Sequence, residues 1–501
     1  MPGLRQGMVN LGLSGQGSEL GVGMDTIAAV VTGMRDSGVG IVRISGSGAV
    51  EVGDGIFRSP SGRRVLGSGE SRRMYYGFVV DPEDWVEIDE VLAVVMRGPR
   101  SFTGEDTVEI QCHGGVLVMG RILECALKCG ARMAEPGEFT KRAFLNGRMD
   151  LSRAEAVMDV IGAQNDRALG YSLGQLRGKL SGKVEELRGR ILYETAFIES
   201  ALDDPEHFDL DGYGEGLSGK LDGVIGELRK LIDTADNGKL IKEGIRTVIL
   251  GKPNVGKSSL LNCLLGEERA IVTDVAGTTR DVLEESLRLG DVCLNIVDTA
   301  GIRDTEDTVE KIGVERALRY AREADLIVYV TDASMELDEN DREIVSVIGD
   351  KRTIVLLNKS DLEAVVTEEG IQALFSGAAG DGSGDCFPAG PSGDDRFVIL
   401  HTSAKEGAGM EELERAVREM FFHGEIGSSN EIVITNMRHK EALEEACEAL
   451  MLVKGSIEDG MPEDFYSIDL MNAYKALGRI IGEEVDDDLV DEIFSRFCMG
   501  K

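Results

Sequence analysis

The chain has 501 residues with 54 Lys and Arg against 90 Asp and Glu, so its formal charge is 54 − 90 = −36. A surface this acidic repels a phosphate backbone and argues against tight autonomous nucleic-acid binding, so any RNA contact needs a local basic patch or a basic partner. No uninterrupted apolar run approaches the ~18 residues of a membrane helix, the length suits about three domains, and the Cys residues, with no Cys-x-x-Cys pair, fit a reducing, cytoplasmic compartment.

Residues 1–24 are Gly-rich and poorly patterned and are read as a disordered extension, with Met24 as an alternative start. Residues 25–144 mix strands, such as Val39 to Ile44 and Thr107 to Gln111, with a helix predicted over Val116 to Cys129. Residues 145–243 are helical in pattern. Ser152 with Glu155 predicts a capping box, and Leu173, Leu176, Leu180, Val184, Leu187 and Ile191 fall at helical spacing, as do Leu217, Leu221, Ile225, Leu228 and Leu231. Residues 244–423 alternate strands and helices as a parallel α/β sheet does, interrupted by a Gly/Ser/Asp-rich loop from Ser376 to Asp395. Residues 424–501 turn helical again, with Ala442, Cys447, Leu450, Met451, Leu470, Tyr474, Leu477, Ile480 and Ile481 as candidate core. That last piece is small for an independent core. It is expected to share one with the earlier helices, which makes 244–423 an insertion.

Four segments of the inserted module fall in an informative order. The first, Gly251-Lys252-Pro253-Asn254-Val255-Gly256-Lys257-Ser258, followed by Ser259, is a phosphate loop between the strand-like Thr247 to Leu250 and a helical run. Backbone N–H groups at such a helix start cradle phosphate oxygens, Lys257 reaches the β and γ phosphates, and the Ser258 hydroxyl binds Mg2+. Asp298-Thr299-Ala300-Gly301 supplies a magnesium carboxylate, direct or through water, and an N–H for the γ-phosphate. Asn358-Lys359-Ser360-Asp361, with Thr402-Ser403-Ala404-Lys405, reads guanine, because the Asp361 carboxylate accepts from N1–H and the 2-amino group, a donor pair that adenine lacks.

Between the first two segments lies Thr273-Asp274-Val275-Ala276-Gly277-Thr278-Thr279. A Thr here binds Mg2+ only when the γ-phosphate draws the loop in; Thr279 is assigned that role, with Thr278 as its rival. Ras-like GTPases place a water-orienting Gln after the second segment, but this chain has Ile302. Glu310, in the acidic stretch Asp304 to Glu310, is a candidate for that task, although by position alone it reads more readily as a solvated charge. Asn254 can hold a monovalent cation beside the phosphates in place of an arginine finger, or simply cap the loop.

Outside the module, Asp25-Thr26-Ile27, Gly40 to Gly46, Phe102-Thr103-Gly104-Glu105-Asp106, Gln111-Cys112-His113-Gly114-Gly115, Pro136 to Thr140, Arg142 to Leu151 and the terminal Phe497-Cys498-Met499-Gly500-Lys501 resemble the MnmE (TrmE) family of tRNA-modification GTPases over residues 25–501. The resemblance implies an α+β folate-binding N-terminal domain that dimerises, a discontinuous helical domain, and an inserted Ras-like P-loop GTPase domain activated by potassium. It implies K+ ligands at Asn254, Thr273, Val275 and Thr278, and Glu310 as the water-orienting residue. A tetrahydrofolate derivative, 5-formyl or 5,10-methylene, is placed near Arg43, Glu109, Arg148 and Lys501, with Cys498 as a catalytic candidate. A flavoprotein partner, MnmG (GidA), carries FAD and much of the tRNA contact, and together they install a carboxymethylaminomethyl or aminomethyl group at C5 of wobble uridine. The alternative is a regulatory or ribosome-assembly GTPase that modifies nothing.

Overall fold

The structure, a computed structural model, describes residues 25–204, 212–266, 285–297, 320–349, 351–378, 397–422 and 431–497, together with His207 and Gly500. Two compact units form, one from the residues up to Asp150 with those from Asp486 onward, the other from Leu151–Val485.

In the first unit, β1 (Ile27–Val30), β2 (Ser37–Ser45), α1 (Ala49–Ile56), β3 (Phe57–Arg58), β4 (Met74–Val80), β5 (Glu87–Met96), β6 (Thr107–Gly114), α2 (Val116–Lys128), β7 (Arg132–Met133) and α3 (Glu138–Leu145) follow one another. The strands make a seven-stranded sheet in the order β3-β4-β5-β6-β2-β1-β7. Alternation along a strand sends neighbouring side chains to opposite faces. Val42 and Ile44 of β2, Val108 and Ile110 of β6, and Val91, Ala93 and Val95 of β5 thus meet Val52 and Ile56 of α1 and Met119, Ile122 and Cys125 of α2 in one apolar core. Between those positions Arg43 of β2 and Glu109 of β6 stand opposite each other in register, on the other face. Ile27, Ala29, Phe102 and Phe139 form a small apolar cluster of their own.

By its contacts the terminal helix, Asp487–Ser495, groups with the N-terminal unit. Its Phe494 ring lies 6.2 Å from Phe144 of α3 and 5.0 Å from Phe497, and Asp491 pairs with Lys141. Aromatic burial against α3 draws this helix away from the run that precedes it.

The second unit runs α4 (Leu151–Gly162), α5 (Asp166–Leu176), α6 (Lys179–Asp203), α7 (Tyr213–Asp233), α8 (Ala235–Glu243), β8 (Ile245–Leu250), α9 (Lys257–Leu264), β9 (Glu285–Leu289), β10 (Val292–Ile296), β11 (Leu326–Asp332), α10 (Glu339–Ile348), β12 (Arg352–Asn358), α11 (Glu368–Ala378), β13 (Phe397–His401), α12 (Met410–Phe422), α13 (Met437–Glu458) and α14 (Asp464–Ile481). Helices α6, α7, α13 and α14 share a core of Leu180, Val184, Leu187 and Ile191 with Leu217, Leu221, Leu228, Leu443, Leu450, Leu470, Leu477 and Ile480.

Several expectations are corrected here. Leu173 to Ile191 is not one helix: Gly178, at φ 86°, takes a left-handed conformation that ends α5 and starts α6. Met451 is 40% exposed rather than core. Ser376 continues α11, and 379–395 of the expected loop lies outside the described residues. Ser152 and Glu155 form no capping box. Ser152 sits inside α4 with its hydroxyl 3.1 Å from that of Ser181, and the Glu155 carboxylate reaches α13. There it meets Arg438 Nη2 and His439 Nε2 at 2.8 Å each, and accepts from Arg438 Nε and Asn436 Nδ2 at 3.0 Å. Two cationic or polar partners on a neighbouring helix outcompete a local backbone N–H for a buried carboxylate.

The six-stranded sheet has the order β13-β12-β11-β8-β10-β9. Strands β8, β10, β11, β12 and β13 run parallel, and β9 is antiparallel to β10. Every residue of β11 is buried, as expected of a strand covered on both faces. In such sheets ligands bind outside the carboxyl ends of the strands, and that edge carries the phosphate loop, the Asn358–Asp361 segment and the Thr402–Lys405 turn.

Candidate functional site

The phosphate loop leaves β8 at Leu250 and enters α9 at Lys257. Gly256 has φ 100°, and a Cβ there would lie 2.2 Å from Asn358 Nδ2, so both conformation and space demand glycine. Asn254 also stands in the left-handed region, at φ 64°, with its side chain exposed. Lys257 Nζ donates to the carbonyls of Gly251 and Lys252, each at 2.7 Å. Burial pushes its ammonium down to about 8. A desolvated cation held only by carbonyl dipoles gains strongly from an arriving anion. Ser258 and Ser259 occupy the first turn of α9, where N–H groups are unpaired by the helix itself.

Asn358, at the end of β12, connects the segments. Its Nδ2 donates to the Val255 carbonyl at 2.8 Å, and its Oδ1 accepts from the Ala404 N–H at 3.1 Å. Asp361 is fixed by Ser403, whose hydroxyl donates to Oδ1 at 2.8 Å. That hydrogen bond, aided by nearby Lys405 and Lys359, holds the Asp361 carboxyl below its ordinary value, so it is an acceptor at neutral pH. Phosphate loop, base-reading segment and the Ser403–Lys405 turn therefore converge at one edge.

The sequence reading missed two pairings. Lys359, itself at φ 61°, pairs with Asp332 Oδ2 at 2.6 Å at the end of β11. Burial tends to raise the Asp332 carboxyl, but hydrogen bonds from Lys359 and Ser334 outweigh it and keep the value low. Lys252, inside the phosphate loop, pairs with Asp338 and Asp341 at the start of α10. The Asp338-x-x-Asp341 spacing before an apolar run was a visible helix-start signal; its link to Lys252 was not. Thr273, Asp274, Val275, Ala276, Gly277, Thr278, Thr279, Asp298, Thr299, Ala300, Gly301, Glu310, Cys498 and Lys501 lie outside the described residues.

In the first unit, Arg43 Nε donates to Glu109 Oε1 at 2.7 Å, and its guanidinium lies 5.3 Å from the centroid of the Phe102 ring and 5.5 Å from that of Phe139. Its Nη1 is buried with no hydrogen-bond partner among the described residues. Arg148 Nε donates to the carbonyl of Ser101, the residue before Phe102, at 3.3 Å. Gly500 packs against the end of β1, where an added Cβ would stand 2.7 Å from the Val30 carbonyl.

A mostly parallel α/β sheet with a phosphate loop and the Asp361 carboxylate fixed at the same edge has the form of a nucleotide-binding module, carried on one chain with a helical bundle and an α+β unit. Family models described as "MnmE helical domain" and "GTP-binding protein TrmE N-terminus" match residues 151–498 and 26–148. The chain is 54% identical over 477 residues to the tRNA modification GTPase MnmE of Lachnoclostridium phytofermentans, covering 95% of this chain and 99% of that protein. It is 47% identical over 478 residues to the proteins of that name from Alkaliphilus oremlandii and Clostridioides difficile, with the same coverage. The chain belongs to the MnmE family of tRNA modification GTPases.

Proposed function

We propose that this chain is a potassium-activated GTPase that works in the cytoplasm with the flavoprotein MnmG (GidA). The pair would install a carboxymethylaminomethyl or aminomethyl group at C5 of wobble uridine in certain tRNAs. The observation that carries this reading is the coexistence of two candidate ligand sites on one chain: the edge at Asp361, and the Arg43 guanidinium beside two phenyl rings, its buried Nη1 without a partner among the described residues. A switch protein needs only the first. The second suits a flat ligand with carboxylate or carbonyl acceptors, and a reduced folate has both. Bound there, such a folate would supply the one-carbon unit.

In this reading Lys257 exchanges its two carbonyl acceptors for phosphate oxygens, and Asp361 accepts from the guanine edge. Ser258 and Thr279 hold Mg2+, with Asp298 beside them. Asn254, Thr273, Val275 and Thr278 hold K+, whose positive charge stands where an arginine finger is otherwise required. Glu310 orients water because Ile302 cannot. Arg43, Glu109, Arg148 and Lys501 hold the folate, and Cys498 acts on or beside it. The N-terminal unit forms the homodimer, and the charge of −36 leaves most tRNA phosphate contact to the partner, which also carries FAD.

The test is reconstitution: purified chain, flavoprotein partner, unmodified tRNA, GTP and a reduced folate, followed by nucleoside analysis. The reading predicts a C5-substituted wobble uridine that requires both proteins and GTP. Product formed equally well without this chain would overturn it.

A further inference from the structure

Lys252 is the second residue of the phosphate loop, and nothing in the loop's chemistry assigns it a task. Its side chain is only 14% exposed, and its Nζ lies 2.7 Å from Asp341 Oδ2 and 3.0 Å from Asp338 Oδ2. The Asp341 side chain is 1% exposed and saturated with donors: Tyr329 Oη gives to Oδ1 at 2.6 Å, and the Asp338 N–H gives to Oδ2 at 2.8 Å beside Lys252. Tyr329 belongs to β11 and is wholly buried. One carboxylate therefore joins the phosphate loop, the start of α10 and the middle of the central strand. The end of that same strand holds Lys359 of the base-reading segment through Asp332.

We propose that Lys252 is a positioning residue for nucleotide binding, bracing the phosphate loop against Asp341 and Asp338 so that the loop stays in its phosphate-receiving conformation. The loop needs such support. Asn254 is held at φ 64° between Gly251 at φ 151° and Gly256 at φ 100°, a left-handed conformation that Asn enters more readily than other L-residues but still less freely than glycine. A brace two residues from Asn254 holds the backbone there before any nucleotide arrives. Lys252 is not itself a phosphate ligand, because two carboxylates already neutralise its ammonium. When the competent conformation is populated only in part, apparent affinity falls by that fraction, whereas turnover of the bound complex does not.

The proposal deepens the GTPase assignment and rests on it. The test uses the full chain and compares wild type with Lys252→Met, Lys252→Arg and Asp341→Asn, measuring kcat and KM for GTP and the affinity for a fluorescent GDP analogue. Removing a charge-assisted bond of this kind typically costs about tenfold in the supported equilibrium. Lys252→Met should therefore raise KM and weaken GDP-analogue binding by about tenfold, with kcat at saturation within about twofold of wild type. Lys252→Arg should restore both, and Asp341→Asn should weaken binding in the same direction as Lys252→Met. If Lys252→Met fails to fold, Tyr329→Phe carries the test, with a smaller rise in KM. The brace is refuted if the variant that folds keeps wild-type KM and GDP affinity. It is also refuted if Asp341→Asn tightens binding, which would make Lys252 a direct phosphate ligand. A wild-type chain that binds no guanine nucleotide would instead overturn the GTPase assignment itself.

Discussion

Replacing Glu155 by Gln should unfasten α4 from α13. The carboxylate meets Arg438 Nη2 and His439 Nε2 at 2.8 Å and Asn436 Nδ2 at 3.0 Å, while Arg438 also donates to the carbonyls of Arg479 and Ile480 at the end of α14. Burial alone would raise the Glu155 carboxyl, but His439 and Arg438 outweigh it and bring it from 4.5 down to about 2. That difference corresponds to about 3 kcal/mol of stability. Breaking a buried pair typically costs ~3–5 kcal/mol, because the abandoned partner keeps its charge. The expected cost of Glu155→Gln is therefore on the order of 3 kcal/mol. The sign follows from the depressed value: the contribution is fully present above the unfolded value of 4.5 and is lost as pH falls through about 2. Hydrogen exchange at α4 and α13 amides, read against pH in the full chain, measures this locally where a multidomain melting curve does not. Wild type should lose protection from pH 5 downward, and the variant should be weaker at pH 7 with a flatter acid profile. Equal protection at pH 7, or an unchanged acid slope in the variant, would refute the reasoning.

Asp361→Asn should lose preference for GTP and gain xanthosine triphosphate, whose 2-position offers an acceptor to the new amide; competition binding with both nucleotides checks this. GTP hydrolysis should run faster in KCl than in matched NaCl, by roughly a hundredfold if one transition-state stabiliser is at stake, and Asn254→Ala should abolish the difference. Glu310→Ala should lower kcat while leaving GTP affinity near wild type, because its proposed partner is water; steady-state kinetics separate the two effects. Cys498→Ser should abolish wobble modification while sparing GTP hydrolysis if the sulfur acts chemically, which nucleoside analysis of a complemented deletion strain reports.

What the sequence disclosed and what it withheld divide along physical lines. Motifs whose chemistry is local were legible: the phosphate loop reads as a turn between a strand and a helix, and it lies between β8 and α9. Helical runs such as Leu217 to Leu231 were legible because the period of 3.6 residues survives in a single helix. Features decided by distant partners were not. Glu155 looked like a capping residue because its competitors, Arg438 and His439, lie almost three hundred positions away. The break at Gly178 hid within a leucine pattern that stays in phase across it. The phosphate-loop Lys252 had no assigned role in the sequence, and its partners Asp338 and Asp341 come from the start of α10, more than eighty positions away. The Arg43–Glu109 pair needed strand register, which a single sequence does not supply.

The most direct test of the central claim is mass-spectrometric analysis of wobble uridine in tRNA from a strain lacking this gene. The account predicts that carboxymethylaminomethyl and aminomethyl substituents at C5 disappear and that the wild-type gene restores them. Full modification in the deletion strain would contradict it.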